Sequence, residues 1–189
     1  GTRGATSPSM PMTVRTARSR PAAILALAAT LIAACGPRSH AGFDASGFRH
    51  HAVISIGGHT GTEVLTDFPV LVRFNEAIAG FSYSQFLVPD AGDLRFFADD
   101  TELSYEVDTW DPTGDSLVWL KVPALLPGCT EVSACWGNAA AATPAYATDG
   151  STWSNGFLGV WHLNEADARN LVNGTAGTGH GNLTTPGCI

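Results

Sequence analysis

Beyond position 47 the chain breaks into short runs closed by glycine, proline, asparagine or aspartate, and within each run the apolar positions follow a strand period. Residues 51–56 are a short run rich in β-branched residues (Val53, Ile54 and Ile56) that ends at Gly57-Gly58. Residues 68–74 place Phe68, Val70, Val72 and Phe74 at alternate positions, the spacing of one strand face. Pro69 sits early in that run, which predicts an edge strand or a strand start, because proline cannot donate to a ladder. Residues 93–97 and 103–108 flank Asp99-Asp100, a predicted hairpin turn. Residues 116–122 follow, with Val118, Leu120 and Val122 on one face and Leu117, Trp119 and Lys121 on the other, and Pro123 as the expected stop. Residues 131–136 close at Gly137-Asn138. Short strands with turn-rich gaps, and no amphipathic helix, predict an all-β fold, an antiparallel β-sandwich over residues 48–140.

Composition agrees. The 189 residues are 44% hydrophobic and 14% charged, apolar enough for a core, and the 21 Gly and 11 Pro are spread as punctuation rather than as repeats. Alanines, then Thr, Pro, Ser and Gly, mark residues 141–154 as an expected linker. Residues 156–165 read as one more strand. The tail after it has too little apolar content to offset ordering entropy, so residues 155–189 are expected to be the truncated start of a second β domain.

The N-terminal part follows a different pattern. Arg15, Arg18 and Arg20 form a basic segment without acidic residues, followed by an apolar stretch over residues 22–34. A bilayer span needs ~20 residues, so this stretch fits the hydrophobic region of a signal peptide instead. Residues 1–41 are therefore expected to be a leader, with the residues before Met10 outside the fold. Ile32-Ala33-Ala34-Cys35 resembles the lipobox of bacterial lipoproteins. That resemblance implies lipidation of Cys35 and membrane attachment through it, and Gly36 in the next position implies the outer membrane. Ser39-His40-Ala41 offers an ordinary signal-peptidase site and plain secretion as the alternative. All 17 acidic residues lie beyond position 35, whereas four of the ten Lys and Arg precede it. The exported part thus carries 6 − 17 = −11 against −7 for the whole chain. Such a surface repels phosphate backbones and excludes nucleic acid as a partner.

Five collinear pieces resemble the bacterial family known as domain of unknown function 2341. They are residues 67–72, 93–96, 103–107, 118–123 and 136–138, and together they span about residues 48–140. Cys135-Trp136 departs from that family's usual pair of tyrosines. Residues 159–165 (Gly-Val-Trp-His-Leu-Asn-Glu) resemble the opening strand of a concanavalin A-like or laminin G-like jelly roll. The resemblance implies an envelope or secreted β module, sometimes joined to biopolymer-transport proton channels, with no assigned activity.

Candidate chemistry is sparse. Glu106 and Asp108 share a strand face, about 6.5–7 Å apart by the strand rise. They resemble the ExDxxE strand of jelly-roll glycan hydrolases, in which two carboxylates about 5–5.5 Å apart act on a glycoside. No second glutamate supplies the acid, and alternation predicts that Glu106 and Asp108 are simply solvated. His50, His51 and His59 match no zinc spacing, and Asp90, Asp93, Asp99 and Asp100 are explained by turns, so no metal or cofactor is expected. Trp110, Trp119, Trp136 and Phe97 could stack on sugars, but large aromatics are more often core or inter-domain contacts. Trp119, on the outer face beside Lys121, and Trp110 stand as the ligand-binding candidates. Cys129 and Cys135 on one straight strand would be ~20 Å apart, beyond disulfide reach unless the chain breaks at Cys129. The expectation is a non-catalytic exported module that contacts polysaccharide or envelope proteins. The alternatives are a glycan hydrolase using Glu106 and Asp108, or an accessory part of a transport complex.

Overall fold

The computed structural model describes residues 12–16 (backbone only), 47–57, 59, 61–162 and 169–177. Its strands, in chain order, are β1 (Met12–Thr16), β2 (His50–Gly57), β3 (Leu65–Phe74), β4 (Arg95–Ala98), β5 (Thr101–Glu102), β6 (Tyr105–Thr109), β7 (Ser116–Leu125) and β8 (Cys129–Trp136). Strands β2-β8-β4-β5 form one antiparallel sheet, with β1 laid along the free edge of β2. Strands β3-β7-β6 form the second, also antiparallel. Among the described residues no helix is long and apolar enough to cross a membrane.

The two inner faces follow the alternation in the sequence. Ala52, Ile54 and Ile56 of β2 and Val132, Ala134 and Trp136 of β8 face Val70, Val72 and Phe74 of β3 and Val118, Leu120 and Val122 of β7 across the core. Tyr105, fully buried, donates its hydroxyl to the Leu94 carbonyl at 2.9 Å, and this satisfies a polar atom inside an apolar layer. Ile54 opposes Val132 and Val72 opposes Val118, so β-branched pairs fill the middle of each sheet.

One end of the sandwich is closed by a segment that the strand pattern did not single out. Phe81, Tyr83 and Phe86 fold over Trp110 and Trp136, with ring centroids 4.9 Å apart for Phe86–Trp110 and 5.9 Å for Phe86–Trp136. A capping box between Ser82 and Gln85 builds the turn, and Gln85 also accepts from the Trp136 indole at 3.0 Å.

Three local readings change. β7 does not stop at Pro123 but runs on to Leu125. The register jumps from Phe68↔Val122 to Thr66↔Ala124, so Pro123, which has no N–H to give, sits where no pair is formed, opposite the left-handed Asp67 (φ 49°). Residues 141–154, expected as a linker, instead pack onto the sandwich through two 3-10 turns, Ala145–Ala147 and Ser151–Trp153. Trp153 is buried against Trp119 on the outer face of the second sheet, whereas Ala147 joins the hydrophobic core and Tyr146 packs edge-on against Tyr105. Residues 156–162 form no strand. Their backbone is held by the 170–171 loop, with the Leu171 N–H on the Val160 carbonyl at 2.9 Å and the Val160 N–H on the Asn170 side chain at 3.2 Å.

Pro69 does lie in an edge strand, β3. Asp99 turns the β4–β5 hairpin at φ 51°, a conformation that aspartate tolerates better than most residues.

Candidate functional site on the outer sheet face

β7 is the central strand of the second sheet, and its alternation sends Leu117, Trp119 and Lys121 away from the core. The register sets Trp119 between Leu71 of β3 and Glu106 of β6. Tyr105 and Val107 point inward, so Glu106 and Asp108 share the outer face with Trp119.

That face is not solvated. Glu106 is 8% exposed, which corrects the expectation of a solvent-facing carboxylate. The chain returns after β8 and lays residues 151–162 across it. One Glu106 oxygen accepts from the Trp153 indole N–H at 2.8 Å, and the other lies 2.8 Å from Nε2 of His162. Nδ1 of His162 is 3.8 Å from an Asp108 oxygen, so the imidazole sits between the two carboxylates. The ring lies nearly parallel to Trp119 (8°, centroids 6.3 Å apart), and Trp153 tilts onto Trp119 at 5.3 Å. Lys121 donates to Ser154 at 2.9 Å, and Asn155 donates to the Thr66 carbonyl at 2.8 Å. Asp149 accepts from the Ser151 N–H at 2.8 Å and starts the turn that carries Trp153 inward. Contact between buried carboxylate and indole is charge-assisted. Two polar atoms in this region, the Trp119 indole nitrogen and the Thr152 hydroxyl, are buried without a partner among the described residues.

The candidates from sequence are thus divided. Trp119 is on the outer face beside Lys121, as the alternation predicts, but it is covered by His162 and Trp153. Trp110 is an edge-on partner of Tyr83 and Phe86 at the closed end of the sandwich, and Trp136 is fully buried. The histidines are dispersed. His50 stacks on Trp136 at 5.9 Å, where burial and the charge of Arg49 lower its pKa, while His59 bonds to the Glu63 carbonyl at 2.8 Å. Among the described residues no three His, Cys, Asp or Glu side chains are grouped to hold a metal. Cys129 is disulfide-bonded and Cys135 is a free, buried thiol, so these two are not joined. Cys35, the leader beyond β1 and Cys188 lie outside the described residues.

Asp93 was the residue that turn chemistry undervalued. It is fully buried, and its carboxylate accepts the N–H groups of Leu87, Gly137 and Asn138 at 3.1, 2.9 and 3.0 Å, with Val88 at 3.4 Å. Its signal was available: an aspartate one position before the apolar Leu94, and a Trp-Gly-Asn turn with N–H groups to satisfy. Beside it, the Arg95 guanidinium bonds to the Gly92 carbonyl at 3.0 Å and approaches Glu102 at 3.3 Å. A shallow concavity of about 400 Å³ lies between Asn75–Ala77 and Pro112–Asp115. Its Glu76 and Asp115 carboxylates are already taken by Ser82, Tyr83, Asn75 and Arg73.

The model of the family described as Domain of unknown function (DUF2341) matches residues 90–157. The match covers just over a third of the chain, from before β4 through the Trp153 turn. It therefore includes residues 141–154. It does not reach the pieces before residue 90 or the 159–165 segment. No curated protein and no solved structure is similar to the chain at a significant level.

Proposed function

We propose that this chain is a non-catalytic exported scaffolding module, whose outer sheet face holds the chain that follows it in a fixed pose. The observation that supports this reading is the occupancy of Glu106. Both its oxygens are taken, by the Trp153 indole and by His162, each at 2.8 Å. A glycosidase carboxylate needs one oxygen free for the anomeric carbon or the glycosidic oxygen, and the space between its partners free for sugar. Here an imidazole fills that space. The same bonds fasten the segment after the sandwich to the sheet, which is what a spacer needs if it is to present a following domain rigidly rather than on a flexible tether.

On this reading the leader directs export and Cys35 carries the lipid anchor. The contact with polysaccharide or an envelope protein is made by chain beyond the clamped 151–162 segment. The deciding experiment assays the protein against a panel of polysaccharides for reducing ends, beside Glu106→Gln. No turnover in either form is the expected result. Turnover that disappears in Glu106→Gln would establish the hydrolase alternative. Detergent partition of the exported protein, lost in Cys35→Ala, tests the anchor, and a mature N-terminus at Gly42 would replace it with plain secretion.

A further inference from the structure

A sheet edge invites pairing with any free strand, and soluble β proteins guard their edges with charge, proline, bulges or brevity. Three of the four edges of this sandwich are guarded. β5 is two residues long and follows the Asp99-Asp100 turn. β3 carries Pro69, the left-handed Asp67 and the exposed Arg73, and Asn155 ties off its Thr66 carbonyl. β6 is bulged between Val107 and Thr109 and bears Glu106 and Asp108. The fourth edge, β2, is eight residues of His-His-Ala-Val-Ile-Ser-Ile-Gly with no lysine, proline, acidic residue or register break.

This unguarded edge holds β1. Five residues pair in an unbroken antiparallel register, from Met12↔Ile56 to Thr16↔Ala52. The segment contains Thr13, Val14 and Thr16, which favour extended backbone, and Arg15 but no acidic residue, against an exported part of net charge −11. Among the described side chains, the buried residues of the hydrophobic core lie between Ala52 and Ala147.

We propose that the β2 edge is a strand-acceptor site for an extended, non-acidic, β-branched segment. Met12–Thr16 fills it in the unprocessed chain, and a partner's strand of the same chemistry fills it once the leader is removed. The second half rests on the export reading above; the acceptor property does not. Before processing, β1 keeps the edge from pairing with other chains. Afterwards the vacated N–H and C=O groups recruit a strand, with main-chain hydrogen bonds supplying the affinity.

Hydrogen exchange on three samples tests it: the full chain, the full chain with Val14→Pro, and a chain beginning at Gly42. The probe added to the last is a synthetic peptide of residues 10–18, MPMTVRTAR. The edge-facing β2 amides should exchange roughly tenfold or more faster in the Gly42 chain and in Val14→Pro than in the full chain, as open edges do. The peptide should restore protection, less so at high salt. Protection of the β3–β7 amides, measured in every sample, checks that the sandwich stays folded in Val14→Pro and in the Gly42 chain. Equal exchange in the full and Gly42 chains, or no protection by peptide at millimolar concentration, overturns the proposal. Mass spectrometry of the exported protein separates the two readings. A mature form that retains Met12 refutes processing while the exchange comparison still decides the acceptor.

Discussion

Replacing Glu106 by alanine asks whether the outer face is a solvated surface or a buried clamp. On a solvated strand face the change would be worth less than ~0.5 kcal/mol. The structure predicts more. Glu106 is 8% exposed and is the acceptor for two groups at 2.8 Å, so its removal leaves the indole of Trp153, itself 4% exposed, with no acceptor in a closed space. A buried donor left unsatisfied costs about 1–3 kcal/mol, and hydrogen bonds to charged groups are at the upper end. A loss of about 2–3 kcal/mol is therefore expected for Glu106→Ala. Glu106→Gln keeps one carbonyl oxygen for Trp153 and should cost about 1 kcal/mol, the net worth of a single exchanged hydrogen bond. Urea unfolding of the full chain followed by tryptophan fluorescence measures both. The same change in a Trp153→Phe background should cost much less, because the orphaned donor is already gone. A Glu106→Ala midpoint within error of the parent, or an effect unchanged by Trp153→Phe, would refute the clamp.

Asp93→Ala should be more damaging, by about 3 kcal/mol or more, because it strands several backbone N–H groups in a closed site; thermal unfolding reads it. A chain ending at Ala140 should melt lower than one ending at Gly177, since it loses the buried Ala147 and Trp153 and uncovers Trp119; calorimetry on the two compares them. Burial pushes the Cys135 thiol up to about 12. Native protein at pH 8 should therefore resist alkylation at Cys135 and react only after denaturation, as peptide mapping by mass would show.

The strand runs, their inward faces and the sandwich class were legible in the chain, because alternation at period two is a local property that burial on one side imposes on every strand. Val118, Leu120 and Val122 facing the core with Trp119 and Lys121 outward is one such case. What the alternation could not say is what lies on the other face. Outward on a strand means only away from the core, and whether Glu106 then meets water or another layer depends on residues 47 and 56 positions further on. The 141–154 segment reads as a linker because Ala, Thr, Ser and Gly carry no period, yet one anchored tryptophan, held by a carboxylate and packed at a tilt on Trp119, outweighs their flexibility. Asp93 likewise has a local turn explanation, and only the return of the chain at Gly137-Asn138 gives it its N–H partners. Local pattern decides which side of a strand is apolar. Long-range contacts, which bring sequence-distant groups together at the expense of loop entropy, decide what covers the polar side.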